Sequence, residues 1–192
     1  GTKGSQITIV LNAGQTYYIG VNGNSASAAE YDPLTGWNAS PGSVGNYSLL
    51  ITELPPPIYA AGADAGGGPH VRVFDARSNE ELASYFAYNP AFRGGVRVAV
   101  GDVTGDGIDD VVTAPGPGGG PHIRVLDGAT LQFRTEPQYN LLAYSPGLST
   151  GWFVAVGDVN NDGYEDIIVT PDAHSSPSVK VFSGKTGELL YD

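Results

Sequence analysis

Short apolar runs, interrupted every few residues by Gly, Pro, Asn and Asp, set the pattern of this chain. Residues 96–100 are apolar at every position but Arg97, and 111–114 form a second run. Residues 123–126 alternate around Arg124, and a less regular apolar stretch covers 141–144. Runs this short, rich in β-branched residues and closed off by turn formers, predict strands. No helical period follows the acidic stretch between the first two. Upstream, 7–11, 16–21 and 47–53 also read as strands, with Asn12-Ala13-Gly14-Gln15 as the turn between the first pair. A polar loop rich in Gly, Ser, Asn and Pro fills 22–45. Pro55-Pro56-Pro57 is a stiff spacer and marks a domain boundary. The organisation expected is a strand-rich segment 1–54, a linker 55–57 and a repeat region 58–192.

The repeat is explicit. Val98-Ala99-Val100-Gly101-Asp102-Val103 recurs unchanged 56 positions later, at 154–159. Ala87-Tyr88-Asn89-Pro90 recurs at the same shift as Ala143-Tyr144-Ser145-Pro146. Gly66-Gly67-Gly68-Pro69-His70-Val71-Arg72-Val73 matches Gly118-Gly119-Gly120-Pro121-His122-Ile123-Arg124-Val125, and a worn third copy occupies 175–182. The first two copies of this marker are 52 residues apart instead of 56, so four residues are inserted between Asp127 and Ala143. Four short strands per repeat of this length is the signature of a propeller blade, and 58–192 holds about two and a half.

Each repeat carries an acidic loop between its first two strands. Oxygen side chains stand at loop positions 1, 3, 5 and 9, with Gly at 6. In the first copy they are Asp102, Thr104, Asp106 and Asp110, with Gly107; in the second, Asp158, Asn160, Asp162 and Asp166, with Gly163. A hard cation such as calcium takes six to eight oxygens, and alternate side chains on a tight turn supply them. Ile108 and Tyr164, which follow the glycines, can add backbone carbonyls. Position 12 would be Thr113 or Val169, so the bidentate Glu of an EF-hand is missing. The expectation is a β-hairpin calcium loop, with two Ca2+ sites.

The charge supports this. The net charge is −11, from 9 basic and 20 acidic residues. No Lys/Arg stripe is available for nucleic acid or anionic lipid. Two divalent ions would offset 4 of the 11 excess charges. The chain has no Cys, which fits a secreted protein braced by metal instead of disulfides. It has no Met either, which points to a mature, processed or excised segment. No 18-residue apolar run predicts membrane insertion.

Loop, turn and strand together resemble the FG-GAP repeats of bacterial extracellular proteins, which are related to the integrin α-subunit propeller and to VCBS repeats. Val112-Thr113-Ala114-Pro115-Gly116 stands where that family has its Gly-Ala-Pro, and Val169-Thr170-Pro171 replaces it in the last copy. No acidic loop precedes the unit at Ile58, so that unit enters partway through. The segment 1–54 resembles the end of a bacterial pre-peptidase C-terminal domain, on 11–19 and 45–49. The resemblance implies an all-β fold: a partial β-propeller of FG-GAP-type four-stranded blades plus a small N-terminal β-sandwich-like segment. It implies a non-catalytic structural or adhesive module at an extracellular or cell-surface location. Neither domain closes alone, so the expected partners are further repeats of the same chain or neighbouring subunits, joined by strand exchange into a filament or surface assembly. The alternatives are an accessory domain of a secreted hydrolase or peptidase, and a carbohydrate-binding module with a protein or glycan ligand.

Other features have plainer readings. His70 and His122 occupy equivalent turn-to-strand positions, and Ser178 takes the place in the third copy; His174 reads as a loop residue. Gly66 to Gly68 and Gly118 to Gly120 lack the Lys-Ser/Thr of a phosphate loop and read as turns. Gly-x-Ser-x-Gly and His-Glu-x-x-His are absent, so no enzyme is expected. Tyr88 and Tyr144 read as core. Asn38 and Asn46 match the glycosylation sequon.

Overall fold

The computed structural model describes residues 56–172 and 178–192. The chain divides into two units, Gly1–Thr52 and Glu53–Asp192, and the described residues all lie in the second. The expected sandwich-like segment, both sequons, Pro55 and His174 lie outside the described residues.

The described chain is all-β, and its open antiparallel sheets are those of a partial propeller. The first sheet holds β1 (Ile58–Gly62), β2 (His70–Asp75) and β3 (Glu81–Phe86) in chain order. The second holds β4 (Val96–Gly101), β5 (Asp110–Pro115) and β6 (His122–Asp127), with β7 (Gln132–Phe133) and β8 (Asn140–Leu142) both pairing β6. The third holds β9 (Trp152–Gly157), β10 (Asp166–Pro171), β11 (Lys180–Phe182) and β12 (Leu189–Tyr191). By the repeat, β1, β5 and β10 are equivalent, as are β2, β6 and β11. β4 and β9 precede an acidic loop; among the described residues the first sheet has no counterpart to them.

The single fourth strand expected near 141–144 is instead two pieces, and Ala143 and Tyr144 lie beyond it. The four inserted residues explain the split. Val125 accepts from the Arg134 N–H at 3.0 Å and donates to the Tyr139 carbonyl at 2.9 Å. The ladder on β6 thus continues while the insertion loops out between its two pieces. Arg134 secures that loop through Asp127 and Glu136, at 2.8 and 2.7 Å. In the first sheet, without the insertion, β3 runs on with only a bulge opposite Val73 and Phe74.

The core lies between sheets. Val71 and Val73 pack with Val96, Val111 and Leu126 between the first and second sheets. Val112, Ala114, Ile123 and Val125 pack with Trp152, Ile167 and Val169 between the second and third. Strand alternation produces this: β5 sends Val111 to one neighbour and Val112 and Ala114 to the other, so a strand buried on both faces reads as a continuous apolar run.

Two tyrosines pin successive sheets. The Tyr88 hydroxyl reaches the carbonyls of Thr113 and His122, both at 2.8 Å. Tyr144 repeats this 56 residues on, reaching the carbonyls of Val169 at 3.2 Å and Ser178 at 3.3 Å. They are partly buried and act at the seam between sheets. His70 and His122 begin β2 and β6, where each Nε2 meets a cross-strand partner: Ser84 Oγ at 2.9 Å and Asn140 Oδ1 at 2.6 Å.

Candidate metal loops

Each acidic loop joins the first two strands of a sheet, β4 to β5 and β9 to β10. The two backbones match. Gly107 and Gly163 take φ of 86° and 84°, and Gly105 and Asn161, also equivalent, take 72° and 59°. The left-handed conformation suits Gly and is tolerated by Asn.

Position 1 organises each turn. Asp102 accepts from the amides of Gly105, Asp106 and Gly107 at 2.7, 3.1 and 2.8 Å. Asp158 accepts from Asp162 and Gly163 at 3.2 and 3.1 Å. Burial pushes the Asp158 carboxyl up, but these amides outweigh it and hold it below the usual range. Position 5 closes the turn: Asp106 accepts from Ile108 at 2.9 Å, and Asp162 from Tyr164 at 3.0 Å. Asn160, at position 3, accepts from the Asp162 amide at 3.0 Å.

Position 9 ties the loop to the sheet. Asp110 and Asp166 are fully buried, at 0% exposure. Asp110 accepts from Thr104 N–H at 3.0 Å with one oxygen and from Gly128 N–H at 2.9 Å with the other. Asp166 does the same with Val159 and Gly184, at 3.0 and 3.2 Å. Burial pushes the Asp110 carboxyl up to about 6, against the lowering pull of the Gly128 and Thr104 amides. The Thr104 Oγ1, at position 3, is buried without a hydrogen bond of good geometry, though it lies near enough to Asp110 to favour its charged form.

Gly128 and Gly184 seat the candidate loops, and reading the loops alone misses them. A Cβ on Gly128 would fall 1.8 Å from the Asp109 carbonyl oxygen, and one on Gly184 would fall 2.1 Å from that of Glu165. Only glycine lets this turn seat against the acidic loop. The repeat carries the signal: the equivalent position in the first sheet, which has no acidic loop among the described residues, is Ala76.

The loops also touch each other. Glu165 N–H donates to the Asp102 carbonyl at 2.9 Å, and the Tyr164 ring lies where a Cβ on Gly105 would sit, 2.2 Å from Tyr164 Cε1. Burial, and then the charges of Asp109, Asp102 and Asp158, raise the Glu165 pKa.

Among the described residues, no three His, Asp or Glu side chains are gathered closely enough to hold an ion. The loop carboxylates turn onto their own amides. The donor chemistry nonetheless fits a hard cation: each loop offers carboxylates at positions 1, 5 and 9, a neutral oxygen at 3, and a carbonyl after the glycine. The buried Thr104 hydroxyl is one such oxygen. In the first loop Asp102, Thr104, Asp106, Asp110 and the Ile108 carbonyl would hold the ion; in the second, Asp158, Asn160, Asp162, Asp166 and the Tyr164 carbonyl.

A shallow depression of about 320 Å³ lies between Tyr88, Phe92, His122 and the glycines 118–120. Its aromatics are engaged in structure. The Tyr88 hydroxyl is spent on the next sheet, and the Phe92 ring sits close to Gly94 and Gly119.

Among the described residues, no helix is long and apolar enough to cross a membrane. Comparison with curated proteins gives no match. Residues 102–169 match the family of the FG-GAP-like repeat, a non-catalytic repeat. The match opens on position 1 of the first acidic loop and closes inside β10, so this chain contains an FG-GAP-like repeat that spans both loops and the strands β5 to β9 between and beside them.

Proposed function

We propose that this chain is a non-catalytic, calcium-braced structural or adhesive module of a secreted or cell-surface bacterial protein. FG-GAP-like repeats are typically extracellular, and the match covers both loops. The observation that carries the calcium reading is position 9. Asp110 and Asp166 are wholly buried acids to which no cationic side chain among the described residues is bonded, in contrast to Asp127, which is paired with Arg134 at 2.8 Å. A buried carboxylate without a countercharge is costly, and an ion supplies that charge. The ion's role is to neutralise the loops and pin them to the turns at Gly128 and Gly184. The module would serve in an assembly with neighbouring subunits or further repeats.

Thermal unfolding with calcium and with excess EGTA tests the brace. A site with Kd near ~10⁻⁴ M at millimolar calcium stabilises the fold by roughly 1.4 kcal/mol. Calcium should raise Tm. Asp102→Asn and Asp158→Asn should each remove part of the gain, and the double variant nearly all of it. Superimposed wild-type curves in calcium and EGTA would refute the brace.

A further inference from the structure

The two acidic loops are copies, but they are not interchangeable. Position 4 is Gly105 in the first and Asn161 in the second, and position 7 is Ile108 in the first and Tyr164 in the second. Both residues at position 4 take a left-handed backbone, at φ of 72° and 59°, so the backbone alone does not require glycine there. The neighbouring loop does. The Tyr164 ring packs where any side chain on Gly105 would stand, since a Cβ there would overlap it. Gly101, just ahead of the first loop, receives the Glu165 carboxylate in the same way, whereas its equivalent Gly157 faces open space. The second loop thus reaches onto the first through positions 7 and 8, and the first is shaped by glycine to receive it.

One peptide unit joins the two candidate sites. The Tyr164 carbonyl is the backbone oxygen that the second loop would offer to its ion. The Glu165 N–H belongs to the same peptide, and it donates to the Asp102 carbonyl at 2.9 Å. This peptide is trans, so its C=O and N–H point opposite ways. Its orientation is therefore fixed by the residue at position 1 of the first loop. The Asp102 carboxylate in turn holds the amides of Gly105, Asp106 and Gly107. The turn at Gly184 bears on both loops. A Cβ on Gly184 would lie 2.8 Å from the Val103 carbonyl oxygen as well as against Glu165. Beside it, Lys185 Nζ stands 4.9 Å from the centre of the Tyr164 ring.

We infer that the two loops bind calcium as a positively coupled pair, with Tyr164 as the positioning residue that links them. This rests on the calcium reading of the loops and adds a dependence between them. An ordered first loop fixes the Asp102 carbonyl and the Gly105 backbone. The second loop then meets its ion with the Tyr164–Glu165 peptide already oriented. Order gained in one binding step need not be gained again in the next, and by linkage the effect is reciprocal. Charge acts the other way, because an ion in one loop weakens the negative field that attracts an ion to the other. The sign of the coupling therefore separates the two causes: the shared peptide makes each site tighten the other, and charge alone makes each weaken the other.

Calorimetric titration of the metal-stripped whole chain with calcium tests this. Asp106→Asn and Asp162→Asn each cripple one site while keeping an oxygen for the amide that closes the turn. The wild type should bind two ions with positive cooperativity. Each Asn variant should bind one, with the intact loop about fivefold or more weaker than in the wild type. Tyr164→Ala keeps the carbonyl and removes the ring. On that background Asp162→Asn should weaken the first loop by only about twofold or less. Tyr164→Phe, which restores the ring, should restore the dependence. A merely structural tyrosine would shift both affinities and leave the dependence of one site on the other unchanged. Two ions bound independently or with negative cooperativity overturn the coupling and leave the calcium brace standing, and so does a dependence that does not shrink on the alanine background. No calcium binding at all overturns the calcium reading and this inference with it. The Asn pair decides the coupling even where the alanine variant fails to fold.

Discussion

A hydroxyl that spans two sheets does work that its residue type does not announce. Tyr88 gives one O–H to two carbonyls, of Thr113 and His122, at 2.8 Å each, whereas Tyr144 meets its pair at 3.2 and 3.3 Å. Shorter, partly buried bonds cost more to lose. Tyr88→Phe should therefore destabilise by about 1–2 kcal/mol and Tyr144→Phe by about 0.5–1 kcal/mol, read as shifts of the urea midpoint at constant m. The glycines at the loop seats make a sharper contrast. Gly128→Ala places a methyl 1.8 Å from a backbone oxygen, so the turn must move off the acidic loop and Asp110 loses its second amide. The expected cost is about 2 kcal/mol or more, together with weakened calcium binding. Ala76→Gly, at the equivalent position of the first sheet, should cost well under that.

At the scale of the element, the acidic loop is a conflict held in place by its strands. Asp110 titrates at about 6 in the folded loop against an ordinary value of 3.8. A raised pKa means the folded state holds the proton more tightly. The contribution of Asp110 is therefore fully present below about pH 3.8 and is lost as pH rises through about 6. The gap corresponds to about 3 kcal/mol at most. In EGTA, wild-type stability should fall relative to Asp110→Asn between about pH 4 and pH 6, measured by denaturant unfolding at each pH. Excess calcium should reverse that slope, because a metal ligand must be deprotonated. A wild-type-minus-variant difference that is flat in pH would show that burial does not set the charge of this loop.

At the scale of the whole molecule, the sheets stack in chain order because each strand near a sheet's centre is apolar on both faces. That stacking was legible in the sequence as a repeat of 56 residues, and the strands 96–100, 111–114 and 123–126 appear within one residue of where the pattern puts them. The fourth strand was less legible. Its inserted residues carry Thr135, Glu136, Pro137 and Gln138, a turn-forming stretch that hides two short pieces sharing one partner strand. The same additive logic predicts that the open ends are the weak points of the array, as in other repeat proteins. Amide hydrogen exchange should therefore be slowest in β5 and β6, which are covered on both sides, and faster in β3 and β12.

What the sequence by itself determined is local. Oxygens at alternate positions around a glycine define each acidic loop within ten residues, and β-branched runs between turn formers define the strands, because backbone conformation and side-chain alternation act over a few residues. Only the tertiary structure decided which groups from distant positions meet. Tyr88 finds carbonyls 25 and 34 residues away, and Asp110 finds the Gly128 amide 18 residues away. It also decided which faces stay open, since Val179 and Ile123 hold equivalent places in the repeat yet differ from 52% to 0% in exposure. Neither is encoded locally: burial belongs to the neighbour a face meets, and not to the residues that make the face.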